Sequence, residues 1–306
     1  MKLNKSNIIM DGQEKYRAID LSHQPLFVQP HWLDCMLGSS NWSAIVALGN
    51  NGITRWAWAY ATPSRHLGIL KWTPPSFSTY NNIIILDNTE ISNVLRELYK
   101  HIPFFSYIKI KYSKSHKETT KDIRLRVRQF YPHYDTLDEY WNTINKSKRK
   151  KLSKSFDIRV DEETNPDNLF KGLAGSLAKN NLHSIDINSI ERIMACKAST
   201  IGMIVRNKND RILGSQLIAW DSHTAYFLLR GKNYSKTHLP VSEILRWESI
   251  RFAHSKGLRI DLCGSQIPGV ANFNREMGAQ NEYYPEFIHF KPMLLKHISS
   301  MYKRKN

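Results

Sequence analysis

Apolar positions recur along this chain with two periods, and the changes of period mark its elements. From Pro30 to Leu37 the spacing is helical, with a proline to open the helix and Gly38 to close it. Trp42 to Leu48 and Ile53 to Ala61 are apolar runs of strand length. Between them Asn50-Asn51-Gly52 tolerates positive φ, so the pair reads as a hairpin. A loop centred on Pro74-Pro75 follows. Val94, Leu95 and Leu98 then share one side of a helix predicted over Ile91 to His101, and Tyr107 to Tyr112 is a further strand.

From Ile123 a period of two sets in: Arg124, Arg126 and Arg128 alternate with Leu125, Val127 and Gln129, which places three guanidiniums on one strand face. Thr136 and Glu139 have capping-box spacing ahead of Leu137, Tyr140, Trp141 and Ile144. The same helix is expected to run on through Lys146, Lys148, Arg149, Lys150, Lys151 and Lys154. A boundary within 113–136 is expected, giving domains 1–125 and 126–306. Beyond it, Ile201 to Arg206 and Arg211 to Trp220 flank a turn at Asn207 to Asp210, and Ala225 to Leu229 is a buried-looking strand. Pro240 opens a helix that Gly257 ends, Leu258 to Leu262 is a strand, Pro268 to Met277 a helix ended by Gly278, and Tyr284 to Phe290 a last strand. The order is mixed α/β.

Composition adds three constraints. The length, 306 residues, exceeds what one core usually supports, so two domains are expected. Lys plus Arg total 44 against 27 acidic residues, a formal +17 that concentrates anionic partners near the surface; lysine-maintained solubility is the plainer reading. No apolar run approaches the roughly 18 residues of a membrane-spanning helix, and Ile8, Ile9 and Met10 are too few for a signal-peptide core, so a cytoplasmic location is expected. Cys35, Cys196 and Cys263 form no Cys-x-x-Cys pair and no histidines lie three to five residues apart, so no metal site is expected. The sequence has no GxGxxG, no P-loop and no GxSxG elbow.

Several segments together carry a family likeness: Asp261-Leu262-Cys263-Gly264-Ser265-Gln266-Ile267-Pro268 as a strand-to-helix turn, Trp247 to Ala253 with Lys256-Gly257 as the helix before it, and Phe273, Gly278-Ala279 and Tyr284 after it. Upstream stand Lys148-Arg149-Lys150-Lys151-Leu152 and the opening Gln29-Pro30-His31-Trp32-Leu33. This set resembles the GNAT-fold acyltransferase superfamily and, within it, the Fem-type branch of peptidoglycan aminoacyltransferases. The resemblance implies an α/β (mixed α+β) protein of two tandem GNAT-like domains, each a mixed, mostly antiparallel sheet flanked by helices. It also implies transfer of an acyl or aminoacyl group to a primary amine. Fem-type members take the group from aminoacyl-tRNA and act on peptidoglycan precursors, while related members use acyl-CoA. The implied donor is thus aminoacyl-tRNA or acyl-CoA, with no tightly bound cofactor, and the acceptor an amine such as a cell-wall precursor. Two features depart from the pattern. The stretch Arg230 to Pro240 lacks the glycine spacing of the acyl-CoA loop, and no long charged heptad segment is present.

Direct attack on a carbonyl needs a deprotonated amine and donors for the oxyanion. By position the resemblance gives those donors to the backbone of Leu229, Arg230 and Gly231; Arg230 is also suited to a phosphate or carboxylate. Asp261 either holds the substrate amine or acts as base, or simply caps its turn. Gly264 and Ser265 either present N–H groups to an anion at a helix N-terminus or relieve strain. Lys148, Arg149, Lys150 and Lys151, within the basic helix 146–154, either hold tRNA or another anionic ligand by its phosphates or form a solvated helix end. Tyr131, Tyr134 and Tyr140 either stack bases or pack. Glu243 and His223 are further candidate bases. The rival reading of the whole chain is a non-catalytic module that binds RNA or an anionic surface on a degenerate GNAT fold.

Overall fold

A computed structural model describes residues 7–292 apart from 67, 76, 114–122, 155, 197–198, 234–237 and 264–266. The chain divides into two compact units, one of Met1–Arg126 with Tyr283–Asn306 and one of Val127–Glu282.

The first unit begins with β1 (Asn7–Ile9), α1 (Gln13–Arg17), a 3-10 turn at Leu26–Val28, α2 (Pro30–Leu37), β2 (Trp42–Leu48) and β3 (Thr54–Ala61). It continues through β4 (Ser64–His66), β5 (Ile69–Trp72), β6 (Ile84–Ile85), α3 (Ile91–His101) and β7 (Ser106–Lys111). Pro30 occupies the first turn of α2, where a missing N–H costs nothing, and Gly38 stops it with φ +84, a conformation other residues resist. In α3, Ile91, Val94, Leu95 and Leu98 are all buried, as their spacing requires. One sheet runs β1-β2-β3-β6, antiparallel throughout. Its Trp56 and Trp58 are fully buried in a core with Val94 and Leu98 of α3.

Chain order then gives β8 (Ile123–Tyr131), α4 (Leu137–Thr143), α5 (Lys146–Leu152), β9 (Ile158–Glu163), α6 (Pro166–Lys179) and α7 (Ile187–Ala195). After these come β10 (Thr200–Asn207), β11 (Ile212–Trp220), β12 (Thr224–Lys232), α8 (Val241–Ser255), β13 (Arg259–Asp261), α9 (Pro268–Glu276) and β14 (Gln280–Lys291). In the first unit β14 pairs antiparallel with β7, and β7 pairs parallel with β5. In the second unit the strand order is β8-β13-β12-β11-β10-β9, with β12 and β13 the parallel pair.

The capping box predicted at Thr136 and Glu139 is present and opens α4. The single long helix expected after it is instead two. Ile144 leaves helical geometry and is buried, and Asn145 starts a new helix by accepting the Ser147 N–H on its side chain. Helices α6 and α7 were not foreseen. α6 opens at Asn165-Pro166 and buries Leu169, Leu173 and Leu177, one turn apart, each such burial contributing about 1.5–3 kcal/mol. Among the described residues no helix is long and apolar enough to cross a membrane.

Candidate functional site

The parallel strands β12 and β13 share a ladder for only three residues, Thr224, Ala225 and Tyr226 opposite Arg259, Ile260 and Asp261. β12 then continues to Lys232 while β13 stops. On its other edge β12 carries a bulge. Leu217 faces Leu229 and Ile218 faces Phe227, so Leu228 is the extra residue and lies outside both ladders. The result is a notch in the sheet of the second unit, and of the sequence-predicted residues Arg230, Gly231 and Asp261 lie on the two strands that border it.

Arg230 and Gly231, expected just past a strand, lie inside β12, paired with Gln216 and Ser215 of β11. Gly231 has a packing reason for lacking a side chain: a Cβ there would meet the Leu173 Cα at 2.8 Å, on the backbone of α6. The Gln216 amide donates to the Leu229 carbonyl at 2.9 Å and pins the strand next to the bulge. Part of Arg230 is accessible, but its guanidinium end is enclosed. Its Cζ stands 4.0 Å from the Phe273 ring centroid, and its buried Nη1 has no hydrogen-bond partner among the described residues.

A second arginine, not singled out in the sequence, stands with it. Arg246 on α8 is 3% exposed, and its Cζ lies 5.1 Å from the Phe227 ring centroid. Its Nη2 donates to Asn274 Oδ1 at 3.0 Å, while Nε and Nη1 have no partner among the described residues. Asn274 in turn donates to Gln129 Oε1 at 2.8 Å, and Gln129 donates to the Ala271 carbonyl. This buried chain fixes the Asn274 amide, and through it one edge of Arg246. Burial, then repulsion from Arg246, holds Arg230 well below the usual arginine range; Arg246 is lowered by burial. The Tyr131 phenol is a neighbour to both arginines; it donates to the Met277 carbonyl, and burial pushes it up to about 12. A signal for Arg246 was present: it stands three, four and seven positions before Ser249, Ile250 and Ala253, all buried on one face.

Asp261 is buried at the end of β13, where Oδ1 accepts the Cys263 N–H at 2.7 Å and Oδ2 faces Arg128 at 3.3 Å. That arrangement holds the turn, at which Cys263 has φ +59. Gly264 and Ser265 lie outside the described residues. The arginine face of β8 is paired with acids: Arg126 with Glu286, and Arg128 with Glu282 and Asp261. Tyr131 and Tyr140 are fully buried, which removes them as base-stacking platforms, and Tyr134 packs on Tyr140.

The basic helix α5 divides into two sets. Lys148 is nearly buried between Glu243 Oε1 at 3.0 Å and Glu276 Oε2 at 3.2 Å, and Lys151 lies 3.6 Å from Glu243. Burial pushes the Glu243 carboxyl up, but Lys148 outweighs it, so the group sits below its ordinary range and serves the ion pair. Arg149 bonds Asn142, whereas Lys146, Lys150 and Lys154 form no ion pair among the described residues. Among the described residues no group of three or more His, Cys, Asp or Glu side chains is placed to hold a metal.

No protein-family model matches the sequence, and neither does any curated protein. Solved structures do match. FemX is 13% identical, with a TM-score of 0.66 over 95% of this chain and 99% of its own. A tandem GNAT protein from the clavulanic acid biosynthesis pathway is 8% identical, with a TM-score of 0.55 over 94% of this chain and 99% of its own. A conserved protein of unknown function from Bacteroides thetaiotaomicron VPI-5482 is 11% identical, with a TM-score of 0.53 over 94% and 99%. At these identities the likeness is one of fold, and the fold of this chain is the two-domain, tandem GNAT fold shared with FemX.

Proposed function

We propose that the protein is an N-acyltransferase that moves an acyl or aminoacyl group from an activated donor to a primary amine by direct attack, with no covalent enzyme intermediate. The observation that carries this reading is the notch: β12 leaves β13 after Tyr226 and bulges at Leu228. A bulge residue outside both ladders has a backbone N–H to spare, and an N–H at a fixed place is what a developing oxyanion requires. Leu228 supplies that donor, one residue before the segment indicated by the sequence.

Aminoacyl-tRNA is the donor this reading favours over acyl-CoA. Arg230 to Lys232 are strand rather than a glycine cradle, and Lys146 and Lys150 of α5, with Lys154 just past its end, offer cations to phosphates. The acceptor is an amine, and the Fem-type resemblance points to a cell-wall precursor. The protein acts in the cytoplasm on this reading.

The test offers labelled aminoacyl-tRNA and acyl-CoA, separately, with a panel of primary amines, and looks for the amide. Product from tRNA alone is expected, with tRNA affinity that falls with salt and a log–log slope that drops by roughly 0.7–0.9 for each of Lys146, Lys150 and Lys154 replaced by alanine. Product from acyl-CoA alone refutes the donor assignment. No turnover from either donor, with salt-dependent RNA binding intact, refutes the enzyme and favours the binding module that the unpaired lysines also suit.

A further inference from the structure

Two buried cations without a counter-ion are costly, and the second unit holds such a pair. A guanidinium carries one N–H on Nε and two on each Nη. On that count five N–H bonds point from Arg230 Nη1, Arg246 Nε and Arg246 Nη1 at no acceptor among the described residues. Leaving even one buried donor unmet is unfavourable, and leaving five on two like charges is worse. Neither arginine has a carboxylate at ion-pair distance among the described residues; Glu243 on α8, Glu276 on α9, Asp261 on β13 and Glu282 on β14 are engaged by other cations.

Their engagement sets the charge of whatever completes the pair. Lys148 and Lys151 stand against Glu243 and Glu276, two charges to two. Arg128 stands against Asp261 and Glu282, leaving one negative charge over. Counted over these seven groups together with Arg230 and Arg246, the charge is a single positive one. A monoanion balances it; a phosphate dianion reverses it.

The site is also built rather than incidental. Arg246 is positioned by the Asn274–Gln129 chain, Arg230 lies over Phe273, and both border Tyr131. Part of Arg230 is accessible on the rim of the notch. We infer that Arg230 and Arg246 form a binding site for a carboxylate group, held between the two guanidiniums at the foot of the β12–β13 notch. This deepens the transferase reading and rests on it only for the ligand's role: the carboxylate belongs to the amine substrate or to the free end of the transferred acyl group.

Acetate is the probe. The melting temperature of the full chain is followed against acetate at constant ionic strength, with chloride as the balancing anion, and the dissociation constant is read from the shift. Saturable stabilisation is expected. Arg246→Met and Arg230→Gln should each weaken acetate about tenfold or more, the size of a lost bond to a charged group. Without acetate, Arg246→Met should melt no lower than the parent, since removing an unpaired buried charge for an apolar side chain is neutral or stabilising. If Arg246→Met does not fold, Arg230→Gln, part-accessible, carries the test alone.

Glycine binding more tightly than N-acetylglycine assigns the group to the amine substrate, and the reverse assigns it to the acyl donor; glycinamide should not bind. Phosphate stabilising more than acetate overturns the charge argument. No response to any anion, or an undiminished response in both variants, overturns the site. Because binding is read without turnover, loss of transfer activity with acetate binding intact refutes the function and leaves this site standing.

Discussion

Replacing Lys148 by methionine should expose what α5 is for. Its ammonium bridges Glu243 and Glu276 with side-chain exposures of 14% for the lysine and 9% for Glu243. Removing one partner of a buried pair costs about 3–5 kcal/mol, because the other charge is left desolvated. Here Lys151 still reaches Glu243 at 3.6 Å and Glu276 is 38% exposed, so the cost falls to the bottom of that range or just below it, about 2–3 kcal/mol. The pH dependence checks the cause. In the parent, Glu243 lies below its ordinary value of 4.5, so its contribution is present above that pH and fades as pH falls through the folded value. Without Lys148, burial dominates and raises the carboxyl, so the deficit grows as pH rises from 4 to 7. Urea titration at both pH values, read by amide protection in peptides from α5 and α8, measures it. Adding Glu243→Leu should restore most of the loss, since an apolar pair replaces an ionic one. A deficit under about 0.5 kcal/mol, or one that does not change with pH, would refute the reasoning.

Three further perturbations follow. Gly231→Ala places a methyl 2.8 Å from the Leu173 Cα and 3.0 Å from its carbonyl oxygen, and should cost about 1–3 kcal/mol in a urea titration. Gly269→Ala, with nothing within 4 Å, should stabilise α9 by about 0.5 kcal/mol or leave it unchanged. In the first unit Glu286 is buried; burial raises its carboxyl, but Arg126 and Lys109 pull it below 4.5. Its contribution is therefore whole above pH 4.5 and lost as pH falls through the depressed folded value, and Glu286→Gln should flatten that limb of a stability–pH profile.

The elements read best from sequence are those with their own punctuation. Pro30 and Gly38, Thr136 and Glu139, and the Asn207–Asp210 turn each fix an end locally, and the structure has an element end at each. The break at Ile144–Asn145 was hidden because six basic residues resume a helical composition directly after it, while burial of Ile144 and the Asn145 cap decide otherwise. The GNAT fold was legible from the Asp261 to Pro268 turn and its flanks, and the structural matches bear it out. The notch was less so. A bulge at Leu228 depends on register with β11, and Arg246 meets Arg230 only once α8 lies on the sheet. Helix α6 escaped notice although Asn165-Pro166 announces it, because two internal glycines, Gly172 and Gly175, blur its apolar stripe.

The short ladder between β12 and β13 has a mechanical meaning. Three residue pairs join those strands and two join β13 to β8, whereas seven join β11 to β12. Under load or thermal agitation the sheet yields where the fewest bonds act together. Strand β13, held by two pairs on one side and three on the other, is that place, so it is expected to part from its neighbours before the meander β10-β11-β12 loses any pairing. Loosening β13 would therefore widen the notch at the lightly paired side of the sheet and leave Arg230 on the meander that stays paired.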